Sequence, residues 1–395
     1  MRRLPALASV LLTLALVAAS CGDDSGDADV AETTSTAAAA ETTTTTEAPE
    51  TTSTTTTTTT EAPPSVTGAD FAAVGPYPVG VTTRTLPTGN AVEIWYPAGD
   101  DATGQTDTYA VRDFTPDAMR ALVPEELNDR FTVDAGRDAS LADDGQYPLV
   151  IFSHGSTSFR FQSTSLTHHL ASWGMVVASA DHPSRSLPGL LGRPDDAPSS
   201  DADVAAVRAL LRTDDTLGPV IDHDRVGIAG HSAGGGTALR VAADGEMLGY
   251  VSYASGAFDD APLPDVPSLF MSGLIDTIVE PGRTLAAYEA APAPRWLMEF
   301  ADSGHLAFSD LCVVGDGDAN LITLAEAAGL SDFLDDGLRR LGSDGCDPPN
   351  RPVEEIWPGM HQATTGFFRW IFGFDEEPLG LDGLPVDGVS ISTSF

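Results

Sequence analysis

From Asp70 onward the chain alternates short apolar runs with amphipathic stretches. Two strand-like runs, 79–86 and 91–96, flank the Pro-Thr-Gly-Asn signal at 87–90 and predict a hairpin. A polar, irregular stretch follows over 98–146, with one helix expected near 116–127. The pattern then becomes regular. Apolar runs at 149–152, 175–180, 226–229, 250–253, 269–271 and 296–300 read as buried strands. Helical periodicity fills the gaps at 164–172, 201–212, 233–243 and 281–290, and a last helix is expected over 358–372. Strands apolar on both sides, alternating with amphipathic helices, predict an α/β fold: a mostly parallel sheet with helices on both faces.

The first 69 residues lack this pattern. Arg2 and Arg3 precede an apolar run over 6–19. As a helix those residues would rise about 21 Å, short of the roughly 30 Å hydrocarbon core. That predicts a signal peptide over 1–20 rather than a membrane span. Ala18-Ala19-Ser20 leads into Cys21 and resembles the lipobox of bacterial lipoproteins, with Ala18 standing where Leu is usual. The resemblance implies lipidation of Cys21 and anchoring of an exported chain to the outer face of the cell membrane. From 32 to 64, seventeen of thirty-three residues are threonine. Such a segment cannot bury enough apolar surface to offset its ordering entropy. The span 21–69 therefore reads as a lipidated N-terminus and Thr-rich stalk, leaving 70–395 as the domain that carries the chemistry.

Charge narrows the partners. The chain has 58 acids against 20 cations, all arginine, for a formal net charge of −38. From residue 70 on there are 49 acids and 18 arginines, so the acidity belongs to the folded part. Such a surface repels phosphate backbones, which excludes nucleic acid as a partner. Three cysteines are too few for a disulfide scaffold or a cysteine-rich zinc module. Export favours a bridge between Cys312 and Cys346. It would close a loop of 33 intervening residues, contributing about 4 kcal/mol in the chain-entropy model.

The strongest local signal is Gly230-His231-Ser232-Ala233-Gly234, set between an apolar strand and an alanine-rich helix. A serine lifted on a strained strand-to-helix turn needs glycines on both sides for the close crossing. Phe152-Ser153-His154-Gly155-Ser156 ends the first parallel strand. There the Ser156 N–H, with that of Ala233, is expected to form an oxyanion hole, while His154 shapes the loop. A serine hydroxyl needs a base and an orienting acid, which follow in the order Ser, Asp, His. Asp276 follows the strand at 269–271 and His305 the strand at 296–300. Both occupy carboxyl ends of strands, where open α/β sheets place their sites.

Other candidates have structural readings. Asp181 is expected to shape the pocket, and His361 to pack at the start of the last helix. His168 and His169 sit on a polar helix without ligand geometry. Asp316, Asp318 and Asn320 mimic the opening of a calcium loop, but Leu321 and Ala327 occupy the positions that need Gly and Glu. No metal and no cofactor are expected.

The runs 152–160 and 171–178, continuing into Asp181-His182-Pro183-Ser184-Arg185-Ser186, resemble the plasma/type II platelet-activating-factor acetylhydrolase branch of the α/β-hydrolases. The acid motif at 273–281 resembles that of bacterial polyester hydrolases and dienelactone-hydrolase-like enzymes. The latter use a cysteine nucleophile, so Ser232 points to the esterase side. The resemblance spans about 75–310 and implies an α/β-hydrolase fold with ester hydrolysis through an acyl-serine intermediate. Ser232 would be nucleophile, His305 base and Asp276 its orienting acid. The substrate would be a short-acyl or lipid-like ester, the enzyme a monomer, and membrane contact through the lipid anchor only. Segments 311–352 and 98–146 match less and are expected to border the pocket. A serine peptidase of prolyl-oligopeptidase type shares the motif and triad order, but no propeller-length segment precedes the site. A non-catalytic surface binding module is the reading from another class.

Overall fold

Every strand at the centre of the molecule buries both of its faces. In β6 (Tyr147–Ser153), Leu149 and Ile151 pack into one core while Val150 and Phe152 pack into another. Alternate residues point to opposite sides of a strand, so the unbroken apolar run marks a strand sandwiched between layers. The structure is a computed structural model. It describes residues 66–395 except 114, 116–119, 122, 124, 126–127, 129, 144, 187–196, 258–262, 314–319, 328 and 330. The signal segment, Cys21, nearly all of the stalk, most of the helix expected at 116–127, and Asp316 and Asp318 lie outside these residues.

The expected hairpin forms from β1 (Val79–Thr85) and β2 (Ala91–Pro97), paired antiparallel with Thr85 opposite Ala91. β3 (Asp107–Ala110) and β4 (Arg130–Val133) make a separate antiparallel ribbon inside the polar stretch, and β5 (Gly136–Arg137) adds to β1. Beyond β6 come β7 (Val176–Ala180), β8 (Ile221–His231), β9 (Tyr250–Tyr253), β10 (Ser268–Gly273), β11 (Arg295–Phe300) and β12 (Val389–Ser394). They lie in one ten-stranded sheet, order β12-β11-β10-β9-β8-β6-β7-β2-β1-β5. Strands β6 to β11 run parallel, and β2 and β12 are antiparallel to their inner neighbours.

Helices cover both faces, as the periodicity required. Helix α1 (Thr164–Ser172) packs on one side; α2 (Ser200–Thr213), α3 (Ala233–Ala243) and α4 (Pro281–Ala290) pack on the other. The long C-terminal helix belongs to the α1 side and seats Met360, Phe367 and Phe368 against the sheet. Before it come two short helices, α5 (Leu321–Ala327) and α6 (Asp336–Leu341), so the C-terminal one, Trp357–Ile371, is α7. The expected bridge forms between Cys312 and Cys346, with Cα atoms 4.9 Å apart, and ties the two ends of this segment together.

Candidate active site

Strand β8 ends at His231 and helix α3 begins at Ala233, so Ser232 makes the reversal alone. Its φ of 55° and ψ of −123° lie where non-glycine residues are costly to hold. Two neighbouring glycines allow it. A Cβ on Gly230 would stand 2.1 Å from the Gly234 oxygen, and one on Gly234 only 1.9 Å from the Ser153 oxygen. The strain and the two close crossings are what a nucleophile elbow requires.

Asp276 and His305 arrive from the loops after β10 and β11. Asp276 Oδ2 lies 2.8 Å from His305 Nδ1, and Oδ1 accepts the N–H groups of Ile278 and Val279, each at 2.8 Å. A carboxylate can only accept, so Nδ1 carries the imidazole proton and Nε2 keeps its lone pair. That Nε2 is buried and has no hydrogen-bond partner. His305 and Ser232 line one cavity together with Gly155, Ser156, Leu306, Leu311, Leu321 and Leu341. The three expected residues thus meet, on loops held by parallel strands.

The expected oxyanion donors stand beside them. Gln162 Oε1 accepts the Gly155 N–H at 2.7 Å, and the next residue, Ser156, lines the cavity. Ala233 is the first residue of α3, so its own N–H has no acceptor within the helix. His154 shapes the loop as expected: its Nδ1–H donates to the Gly155 oxygen at 2.7 Å, and its Nε2 accepts the His182 N–H at 3.0 Å. Burial and the nearby Arg185 charge push its imidazole down to about 3. His231 Nε2–H donates to the His305 oxygen at 2.9 Å, bracing His305 from the Ser232 side, and burial likewise lowers the His231 imidazole to about 3.

Two expectations need correction. Asp181 does not line the cavity: its carboxylate accepts from the N–H and Nη1 of Arg160 at 2.8 and 2.7 Å. Nor do the described residues of 98–146 line the cavity; Tyr109 and Val133 instead pack with Leu311 and Leu324, and Leu311 does line it. Helix α1, polar in sequence, is largely buried, and His169 stacks on His361 with centroids 4.2 Å apart. Asn320 caps α5, accepting from Ile322 and Thr323 at 3.0 Å.

One residue escaped the sequence reading. Asp344 Oδ1 accepts the His305 N–H at 2.6 Å, and Oδ2 accepts the Thr277 N–H at 3.1 Å together with the Thr277 hydroxyl. A single carboxylate therefore clamps the His305 loop to the Asp276 loop. Its partners lie 39 and 67 residues away, so no local pattern announces it; the only hint is its place two residues before Cys346. Asp310, beyond His305, caps α1 through the Ser165 N–H at 2.8 Å, and burial pushes its carboxyl up to about 7.

Comparison with known proteins gives two family matches. Residues 150–376 match the alpha/beta hydrolase family, and residues 72–188 match platelet-activating factor acetylhydrolase, isoform II. Among solved structures, a ferulic acid esterase from Streptomyces cinnamoneus superposes with a TM-score of 0.57 at 19% identity. The match covers 82% of this chain and 99% of that one, a likeness of fold.

Proposed function

The chain belongs to the alpha/beta hydrolase family and is an esterase-type hydrolase, and from that premise we propose that it cleaves carboxylic esters through an acyl intermediate on Ser232. One observation carries the reading. His305 is held through Nδ1 by Asp276, keeps its Nε2 without a hydrogen-bond partner, and lines a cavity together with the strained Ser232. Ser232 Oγ attacks the ester carbonyl while His305 Nε2 takes the hydroxyl proton. The carbonyl π electrons move onto oxygen, and the Ser156 and Ala233 N–H groups stabilise that oxyanion. Collapse expels the alcohol, which receives the proton from His305. Water, deprotonated by the same Nε2, then releases the acid and restores Ser232. Asp276 accepts from Nδ1–H and fixes the tautomer.

Substrate choice follows from the walls. Leu306, Leu311, Leu321 and Leu341 face the cavity, an apolar lining that suits a short acyl group or a lipid-like ester. The match to the acetylhydrolase family over 72–188 supports the same class. The test is turnover of p-nitrophenyl acetate and butyrate by the full chain and by Ser232→Ala. The substitution is expected to lower kcat by on the order of 10⁶-fold with the fold intact by circular dichroism. A variant that still turns over at the parent rate rules the reading out.

A further inference from the structure

The fold holds a second serine, histidine and aspartate in relay order. Ser153, at the end of β6, lies 2.9 Å from His182 Nε2, and His182 Nδ1 lies 3.0 Å from Asp203 Oδ2. All three are buried, at 0%, 1% and 1% exposure. This serine cannot meet a substrate. Its oxygen is also already engaged, accepting from Arg185 Nη2 at 2.6 Å.

Arg185 connects that buried chain to the site. Its Nη1 donates to Thr237 Oγ1 at 2.7 Å and to the Ala233 oxygen at 3.2 Å, both in the first turns of α3. Its own carbonyl oxygen accepts the Thr157 N–H at 2.8 Å. Ser156 therefore lies on an arch whose two feet, Ser153 and Thr157, are both bound to Arg185. Thr157 holds a φ of 60°, a conformation that persists only where surroundings over-determine it. The planar fork of a guanidinium can span Ser153 and the helix at once; an ammonium cannot.

We propose that Arg185 is the positioning residue of the oxyanion hole, locking the Ser156 arch to the Ala233 turn, with Ser153, His182 and Asp203 as its buried footing. The inference rests on the roles given above to Ser232, Ser156 and Ala233. An oxyanion hole works only if its two donors keep their spacing about the developing charge. Here both donors are referred to one residue, through its guanidinium at Ser153 and α3 and its carbonyl at Thr157. His182 serves the footing as a neutral imidazole, held neutral by burial and by the Arg185 charge beside it.

The test compares p-nitrophenyl acetate with its thiono counterpart, whose sulfur anion gains little from hydrogen-bond donors. In the full chain, Arg185→Lys is expected to lose about 10²-fold in kcat on the oxygen ester, with KM little changed. The thiono rate should barely move, so the preference for oxygen collapses. Ser153→Ala, a small change that leaves Arg185 in place, should move the ratio the same way by less, and carries the test if Arg185→Lys fails to fold. Equal losses on both substrates would overturn the positioning role, because general damage does not distinguish oxygen from sulfur. If Ser232→Ala retains turnover, the nucleophile assignment has failed and this inference with it. An inactive Ser232→Ala alongside equal losses in Arg185→Lys overturns the inference alone.

Discussion

Ser232, His305 and Asp276 at the cavity, and Ser153, His182 and Asp203 beneath it, have the same residue types in the same relay. Their histidine-to-aspartate separations are 2.8 and 3.0 Å. Even the neighbours agree, for each histidine has another imidazole with its centroid 4.8 Å away. They differ in backbone and in saturation. Ser153 is an ordinary strand residue with its oxygen covered by Arg185, and His182 has both nitrogens engaged. Ser232 is strained on an elbow, and His305 keeps one nitrogen unpartnered at a cavity. Distances alone do not make a nucleophile; it also takes an approach for the substrate and a lone pair with nothing yet to accept.

The same substitution in each relay should separate them most widely. Asp276→Asn is expected to lower kcat by about 10⁴-fold, because the amide can stabilise the wrong imidazole tautomer. Asp203→Asn should lower it by about tenfold or less, the cost of one weakened hydrogen bond in a supporting network. Steady-state kinetics on p-nitrophenyl butyrate measure both, and comparable losses would erase the distinction. Asp344→Ala comes next. Freeing the His305 and Thr277 amides lets base and acid drift apart, and a displacement of about 1 Å costs on the order of 10²-fold. A parent-like kcat in Asp344→Ala would show that the clamp is dispensable.

The smallest effect is on stability. Burial pushes the Asp203 carboxyl up to about 6 from its ordinary 3.8. A raised folded pKa means that the native state holds the proton more tightly than the unfolded chain. The resulting stabilisation is full below 3.8 and is lost as pH rises through about 6. Asp203→Asn cannot titrate, so urea unfolding should show it gaining on the parent between roughly pH 4 and 6, and a constant difference above that. A difference that is flat across the range would place Asp203 outside the buried network.

Much of this was legible in the chain. The apolar run entering Gly230-His231-Ser232-Ala233-Gly234 and the alanine-rich helix leaving it mark the elbow, because strand burial and helix periodicity are both local. Asp276 and His305 were readable from their order and their strand-end positions. Helices α1, α3 and α4 were located to the residue. What was not legible depends on distant contacts. Asp344 looks like any surface acid until the Cys312–Cys346 segment folds against the two loops, and Arg185 shows its three acceptors only once β6 and α3 are adjacent. Strand β12 was missed for another reason. It is an edge strand whose Val389 and Ile391 alternate with serines and whose four middle residues are all exposed, and so short and serine-rich a run carries little strand signal.

The central claim is that Ser232 alone of the two relay serines forms the covalent intermediate. Treating the full chain with a fluorophosphonate and mapping the adduct by peptide mass spectrometry tests this directly. One adduct per chain, on the peptide carrying Ser232, is the expected result. An adduct on Ser153, or none on an intact folded chain, would contradict the account.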